Sequence, residues 1–443
     1  MKRSFSPASV MRGGSTVLIG LIAWNAGNYA FFLVAGRAIG PSEYGLLAAL
    51  LAATLVVAVP AQGLQLAAAR LVAAPPGGEA GLAEGIYRRA WRRCASATPL
   101  VALAACAAIV AVHLTEGKIQ VGPLIVTVAL VVPLGFFFLA LGRLQGEERF
   151  ATFSLCFALW GLPRPVVLVP LAAVGLGVYA GLGATAVAVT AALSASLWFT
   201  RGARPAREPS AAEWRSFTLP LVPIVVGLSG LGLLTNLDVI VAKVILNADD
   251  AGRFAAAATL AKAVFLVPQA VSLVLLPRVA ARSAAAQDTA MLVGLGVAVT
   301  LVAGGLATLF IWAIAHPLLR ITYGEEFAGS AGLLGAYAGA STLVGALIVL
   351  INHHVGRGSD RFVWGTASIA MLQIVLFVAF HGSEKTIVTI DAVVGLAGLL
   401  VHECMFFRSN EGVVAGLVCA AHRARELWRD RRDNRPSAPA GPC

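Results

Sequence analysis

Apolar runs long enough to cross a membrane recur along almost the whole chain, and they limit its fold more than any other feature. Each run is continuous and shows no alternation of apolar and polar residues. A helix needs about 20 such residues to span a bilayer, and it satisfies its own backbone hydrogen bonds there. The sequence therefore predicts an all-α polytopic membrane protein with about twelve transmembrane helices, at residues 15–36, 44–68, 95–114, 121–142, 151–174, 178–199, 217–240, 252–276, 291–315, 328–350, 362–380 and 387–407.

Charge is sparse and is placed at the ends of the apolar runs. Charged residues make up 12% of the chain, whereas soluble domains carry roughly 25%. The net charge of +11 does not indicate nucleic acid, because no free basic domain exists to hold it. If the N-terminus is cytoplasmic, 25 Lys and Arg lie on the cytoplasmic side and 6 outside. The positive-inside rule then predicts a plasma-membrane protein with both termini in the cytoplasm.

The two halves of the sequence resemble each other at a nearly constant offset. Residues 146–150 (GEERF) reappear as 358–362 (GSDRF), and three single matches precede them: Asn28 with Asn236, Gly45 with Gly252, and Arg70 with Arg278. Because six spans separate the copies, the repeat is parallel, as in transporters with a substrate path between two bundles. We expect a cytoplasmic tail at 1–14, a six-helix bundle at 15–200, a cytoplasmic linker at 201–216, a second bundle at 217–407 and a basic amphipathic and disordered tail at 408–443.

Polar side chains inside spans are the best candidates for function, since each is costly in lipid without a partner or a cavity. Arg164 stands between Pro163 and Pro165 in the fifth span, and its planar fork suits a phosphate group. It could instead snorkel to the cytoplasmic interface. Lys262, in the middle of the eighth span, either contacts substrate or ions or pairs with Asp238 for structure alone.

Six further residues complete the predicted substrate-binding set. Arg37 and Lys243 lie at the outer ends of spans. They either line the mouth of the cavity or are ordinary interfacial anchors, and the sequence favours neither role. Arg70 and Arg278, which are predicted to lie on the cytoplasmic side, either anchor the helices or recruit an anionic headgroup. The six residues are Arg37, Lys243, Asn28, Asn236, Arg70 and Arg278, and with Arg164, Lys262 and Asp238 they make a set of nine.

Histidines offer a weaker signal, and motifs of soluble enzymes are absent from the sequence. His402 and Glu403 could relay protons, although a solvated helix end explains them better, and His353 and His354 are expected to be exposed. There is no phosphate-binding loop of the ATPase type. We therefore expect no catalytic residues, no metal and no cofactor, and a protein that is not an enzyme.

Several short segments resemble those of a known transporter family. Residues 40–45 (GPSEYG) resemble the G-P-x-E-[YF]-G segment of polysaccharide-type flippases in the multidrug/oligosaccharidyl-lipid/polysaccharide exporter (MOP) superfamily. Residues 236–238 (NLD) with 251–255 (AGRFA) are similar to the second-half D…G-x-Y-A stretch of that family, with Phe in place of Tyr. The remaining similar segments are 142–146, 276–278 and 323–327.

The resemblance implies two six-helix bundles around a cavity that opens alternately to each side of the membrane. It also implies a flippase that moves a lipid-linked (polyprenyl pyrophosphate) oligosaccharide to the outer leaflet for cell-surface polysaccharide biosynthesis. Membrane lipids and polysaccharide assembly machinery are the other expected partners. The alternatives are a multidrug–cation antiporter of the same superfamily, a membrane polysaccharide polymerase or glycosyltransferase, and a scaffold that transports nothing.

Overall fold

The computed structural model describes residues 7–73, 78–116, 121–202, 205–284, 289–357, 361–380, 382–406 and 412–432. These residues are overwhelmingly helical and contain no strand, as the continuous apolar runs predict. The helices are α1 (Pro7–Ala73), α2 (Ala80–Glu116), α3 (Val121–Gly146), α4 (Phe150–Gly161), α5 (Pro163–Ala173), α6 (Val178–Phe199), α7 (Ala211–Thr218), α8 (Leu221–Ile245), α9 (Ala248–Ala261), α10 (Leu266–Ala284), α11 (Ala290–Ala313), α12 (Ala315–Thr322), α13 (Ala331–Arg357), α14 (Arg361–Ala379), α15 (Glu384–Phe406) and α16 (Val413–Arg432).

Ten helical segments among the described residues are long and apolar enough to cross a membrane. The first of them is 59 residues long and contains the first two predicted spans. These spans are separated at Gly40, whose φ of 72° and ψ of 172° interrupt α1. Glycine adopts that positive φ without strain, and Pro41 follows it. The third predicted span lies in α2, so the count of twelve is close to the architecture observed.

Two predicted spans are each divided into two helices, and proline explains both divisions. In the fifth span α4 ends at Gly161 and α5 begins at Pro163. In the eighth span a 3₁₀ turn at Lys262–Phe265 separates α9 from α10. Pro268 follows that turn, and a proline cannot donate the backbone bond of a regular helix. Both divisions lie beside a predicted site residue, Arg164 or Lys262.

The chain divides into two compact units. The first comprises Met1–Leu228 with Asn247–Ala255, and the second comprises Ser229–Leu246 with Ala256–Cys443. The core of the first unit is aromatic: Trp160 of α4 packs against Trp24 of α1 and against Phe137 and Phe138 of α3. This packing holds α3 and α4 against the part of α1 that carries Asn28.

In the second unit α13 is the central helix, and it packs against α10, α11 and α15. Its buried face includes Tyr337 and Leu350. The C-terminal helix α16 packs closely on α11, since a Cβ on Gly416 would lie 2.1 Å from the carbonyl oxygen of Ala290. The predicted tail therefore begins as a docked helix, while residues 433–443 lie outside the described part of the chain.

Candidate functional site

Arg164 is held inside the first unit at the start of α5. Its guanidinium donates from Nη1 to Oδ1 of Asn28 over 2.6 Å and from Nη2 to Oγ1 of Thr185 over 3.1 Å. It also lies over the ring of Phe31, with 3.8 Å between its Cζ and the ring centroid. Arg164 is 5% exposed, so it does not snorkel to the interface. Three helices, α1, α5 and α6, fix its position.

The charge of Arg164 has no acidic partner among the described residues. Asn28 and Thr185 are neutral acceptors, and the buried Nε donates no hydrogen bond within the described structure. The Phe31 ring face stabilises a cation only in part. A buried ion without a counter-ion is strongly disfavoured in an apolar interior. The arrangement is therefore suited to binding an anion.

Lys262 and Asp238 form an ion pair inside the second unit. The Lys262 Nζ lies 3.0 Å from each carboxylate oxygen of Asp238, and the side chains are 18% and 2% exposed, respectively. The 3₁₀ turn at Lys262–Phe265 presents the lysine towards α8, and its ammonium also lies 5.7 Å from the centroid of the Tyr337 ring. The two residues that the sequence places in neighbouring spans are thus brought together.

A second buried carboxylate belongs to the same cluster, and the sequence analysis missed it. Asp391 of α15 accepts a hydrogen bond of 2.9 Å from Nε2 of Gln373 and interacts electrostatically with Asp238 and Lys262. The ammonium of Lys262 therefore pairs directly with Asp238 and acts on Asp391 only through longer-range electrostatics. An acid within the apolar run at 387–407 is the signal that could have revealed it.

Asn236 and Arg70 are not joined to either cluster by a hydrogen bond or an ion pair within the described part of the chain. Asn236 donates to the carbonyl oxygen of Gly232 and to Oγ1 of Thr235 on its own helix. Arg37 and Arg70 are exposed on α1, and Lys243 is half-buried on α8. The side chain of Arg278 lies outside the described residues. The proposed roles of these residues remain predictions.

The expectation for the histidines is wrong. His353, His354 and His402 are all buried, at 1%, 0% and 0% exposure. The C-terminal end of α13 packs against α14 and α15, which removes these rings from water. Within the described residues, no group of three or more His, Cys, Asp or Glu could hold a metal ion.

The fold matches solved membrane transporters, although the sequence matches little. No protein-family model matches the chain, and no curated protein is detectably similar in sequence. The inward closed conformation of the lipid II flippase MurJ superposes with a TM-score of 0.72 at 11% identity, covering 95% of this chain and 93% of that chain. An inward-facing multidrug resistance MATE family transporter of the MOP superfamily gives a TM-score of 0.69 at 14% identity, covering 87% of this chain and 97% of that chain.

A third structure belongs to a MOP superfamily transporter from Pyrococcus furiosus. It gives a TM-score of 0.63 at 14% identity, with 89% of this chain and 94% of that chain covered, and a reversed polarity of the binding pocket is reported for that transporter. The chain is thus a multi-span membrane protein. Its fold is that of the MOP-superfamily transporters.

Proposed function

We propose that this protein is a flippase that moves a lipid-linked oligosaccharide, carried on a polyprenyl pyrophosphate, from the inner to the outer leaflet for cell-surface polysaccharide biosynthesis. Alternating access of the two bundles accounts for the movement. The plasma membrane is the proposed site of action, with both termini in the cytoplasm. The fold supports a transporter, and the chemistry of the buried polar residues supports an anionic substrate.

The observation that carries this proposal is the buried guanidinium of Arg164. Arginine matches phosphate oxygens with paired, charge-assisted hydrogen bonds. In the structure Arg164 instead donates to the neutral oxygens of Asn28 and Thr185. A pyrophosphate that displaced these neutral acceptors would supply the missing negative charge. The proposal requires a second state in which Arg164 is accessible to substrate.

The energetic cost of moving a charged headgroup across the membrane favours a buried anion-binding site of this kind. A sugar–pyrophosphate headgroup loses its water in hydrocarbon, and each unsatisfied polar group costs several kcal/mol there. Outward movement of negative charge along an inside-negative potential yields ~2.3 kcal/mol per charge per 100 mV. We therefore expect transport to depend on the membrane potential or an ion gradient. Asp238 and Asp391 are the carboxylates that would bind a coupling cation, in competition with the ammonium of Lys262.

Those same carboxylates favour one alternative, a multidrug–cation antiporter. Asp238 and Asp391 are both buried, and only Lys262 opposes their charge in the contacts that the structure shows. A cationic drug or a coupling ion would complete that balance. Arg164 argues against a cationic substrate in the first unit, because it would repel such a molecule.

The experiment is a flipping assay in proteoliposomes with fluorescent polyprenyl-pyrophosphoryl N-acetylglucosamine, whose exposure is followed with an external quencher. The variant is Arg164→Gln. The matched control is Arg201→Gln, because Arg201 lies 3.8 Å over the ring of Trp198 as Arg164 does over Phe31, but is exposed. We expect at least about tenfold slower flipping for Arg164→Gln, corresponding to ~1.4 kcal/mol, and wild-type rates for the control.

Three other outcomes would change the proposal. Equal flipping by the wild type and Arg164→Gln would retain the flippase and reject the site. Absence of flipping by a folded wild-type protein, together with cation-driven efflux of a small cationic dye, would establish the antiporter. Flipping that is identical with and without an inside-negative potential would reject the dependence on potential.

A further inference from the structure

Three histidines are packed together at the C-terminal ends of α13 and α15. His353 and His354 are consecutive in α13, and His402 is in the last two turns of α15. The ring centroids of His353 and His354 are 5.2 Å apart, and those of His354 and His402 are also 5.2 Å apart. The sequence predicts that this end of the second unit faces the cytoplasm.

One hydrogen bond joins two of the three rings. Nε2 of His354 lies 3.0 Å from Nε2 of His402. A bond between two imidazole nitrogens uses a single hydrogen, which either ring can donate depending on its tautomer. The pair therefore already holds one proton between two basic nitrogens.

Aromatic rings surround this pair. The ring of Phe406 is stacked on His354, with centroids 4.6 Å apart, and lies 4.9 Å from the ring of His402. The rings of Phe362 and His402 are perpendicular, with centroids 4.7 Å apart. Aromatic faces attract cations, and the attraction grows when water is excluded. An imidazolium in this enclosure would gain part of the stabilisation that a counter-ion supplies elsewhere.

The remaining ring nitrogens have no hydrogen-bond partner in the described structure. They are both nitrogens of His353, Nδ1 of His354 and Nδ1 of His402. Buried polar groups are nearly always satisfied, so an unpaired set at one place indicates a role beyond packing. Each neutral ring already carries one N–H, and a further proton on the pair would place another N–H in this enclosure, where the structure provides no acceptor.

Charged groups on the surrounding helices do not neutralise such a proton. Arg357 follows His353 and His354 by one turn on α13 and interacts electrostatically with both. Glu403 of α15 is occupied, because its carboxylate accepts the backbone amides of Val413 and Val414. Arg282 is half-buried on α10 and Arg361 is exposed on α14, and both are cations. The carboxylate of Asp391 lies three turns before His402 on α15 and accepts a hydrogen bond from Gln373.

We propose that the His354–His402 pair is a proton-binding site that exchanges with the water at the C-terminal ends of α13 and α15. The packed arrangement holds the neutral pair. Binding of a further proton favours an alternative arrangement in which water reaches the rings and solvates the exposed N–H groups. The site thereby makes the conformational equilibrium of the second unit depend on pH at this face. This inference is independent of the proposed substrate.

The direct test is nuclear magnetic resonance of ¹⁵N-histidine-labelled protein in lipid nanodiscs. The chain has seven histidines, and the signals of the pair are those lost or shifted in His402→Gln. Glutamine can still donate to His354 but cannot bind a proton. The matched control is His353→Gln, which removes a neighbouring buried ring and leaves the hydrogen-bonded pair. We expect the pair to change from neutral to imidazolium between pH 7 and pH 4, below the ordinary imidazole value of about 6.5, because the packed arrangement holds the neutral form. Signals of the pair that remain neutral over this range would overturn the proposal.

A second measurement links the site to transport. The pH at the face of the α13 and α15 C-terminal ends is varied in oriented proteoliposomes, with the potential clamped and the opposite pH fixed. We expect the flipping rate of the fluorescent lipid to change by about fivefold, at the low end of ordinary site-to-site coupling. The dependence should be lost in His402→Gln and kept in His353→Gln. An unchanged dependence in His402→Gln would overturn the role of the pair. If the protein flips no such lipid, the resonance measurement still decides the inference.

Discussion

Gly45 of α1 and Gly252 of α9 are in backbone contact. A Cβ on Gly45 would lie 2.7 Å from the backbone nitrogen of Gly252, and a Cβ on Gly252 would lie 1.9 Å from the carbonyl oxygen of Pro41. Both belong to the first unit by their contacts, although they occupy matching positions in the predicted repeat. The glycines of the two family-like segments are thus required where two backbones meet.

This contact predicts that Gly252→Ala destabilises the protein. The added Cβ must displace the backbone at Pro41, and overpacking of this kind typically costs ~1–3 kcal/mol. Thermal unfolding of the purified protein in lipid nanodiscs measures the effect. The control is Gly305→Ala in α11, where a Cβ would meet nothing within 4 Å. If the two variants unfolded at the same temperature, the contact would not matter for stability.

Asn28→Asp tests whether the charge of Arg164 is what the function needs. The substitution keeps the shape of the side chain and turns the 2.6 Å hydrogen bond into an ion pair. We expect the folded protein to be at least as stable, because the buried guanidinium gains a counter-ion. We expect flipping to fall about tenfold or more, because the anion site is already filled. Retained flipping in this variant would show that Arg164 does not bind the headgroup.

The buried ion pair of Asp238 and Lys262 predicts a large coupling energy for stability in a double-mutant cycle. Removal of one partner from a buried ion pair leaves an unpaired charge and typically costs ~3–5 kcal/mol. The double variant Asp238→Asn with Lys262→Met removes both charges, so we expect it to recover much of that loss. Unfolding of the four proteins gives the coupling energy. A double variant that loses the sum of the two single losses would contradict a direct interaction.

The linker after α6 is docked on α2, and Gly85 permits this. A Cβ on Gly85 would lie 1.7 Å from the carbonyl oxygen of Arg207. Arg207 also bonds to Glu79 and Glu213, and Arg89 donates to the carbonyl oxygen of Pro209. These exposed ion pairs are individually weak. The close backbone packing is therefore the main constraint on the linker.

Gly85→Val should release this linker and make it easier to cleave. Limited trypsin digestion at Arg207 measures the release. The control is Gly81→Val, one turn earlier on α2, where a Cβ would come no closer than 3.8 Å to the linker. Faster cleavage in Gly85→Val than in Gly81→Val is expected. Equal cleavage would mean that the ion pairs and hydrogen bonds, and not the close packing at Gly85, hold the linker.

The sequence by itself determined the helical, membrane-spanning architecture. Long apolar runs leave few alternatives in lipid, because only a helix satisfies its backbone within one segment. Pro163 and Pro165 also flank Arg164 in the sequence, at the place where the fifth span divides. Arg164 and Lys262 stood out because a charged residue in an apolar run is rare.

Only the tertiary structure decided which polar side chains meet. In a membrane bundle the lipid-facing and protein-facing sides of a helix are both apolar, so periodicity does not reveal the buried face. The packing of α14 and α15 places Asp391 against Gln373 and within electrostatic range of Asp238 and Lys262, a grouping that no sequence pattern indicates. His354 and His402 lie 48 residues apart in the chain, and the packing of α13 on α15 alone brings their nitrogens within 3.0 Å. Such contacts depend on the rotation of each helix about its axis, which hydropathy does not encode.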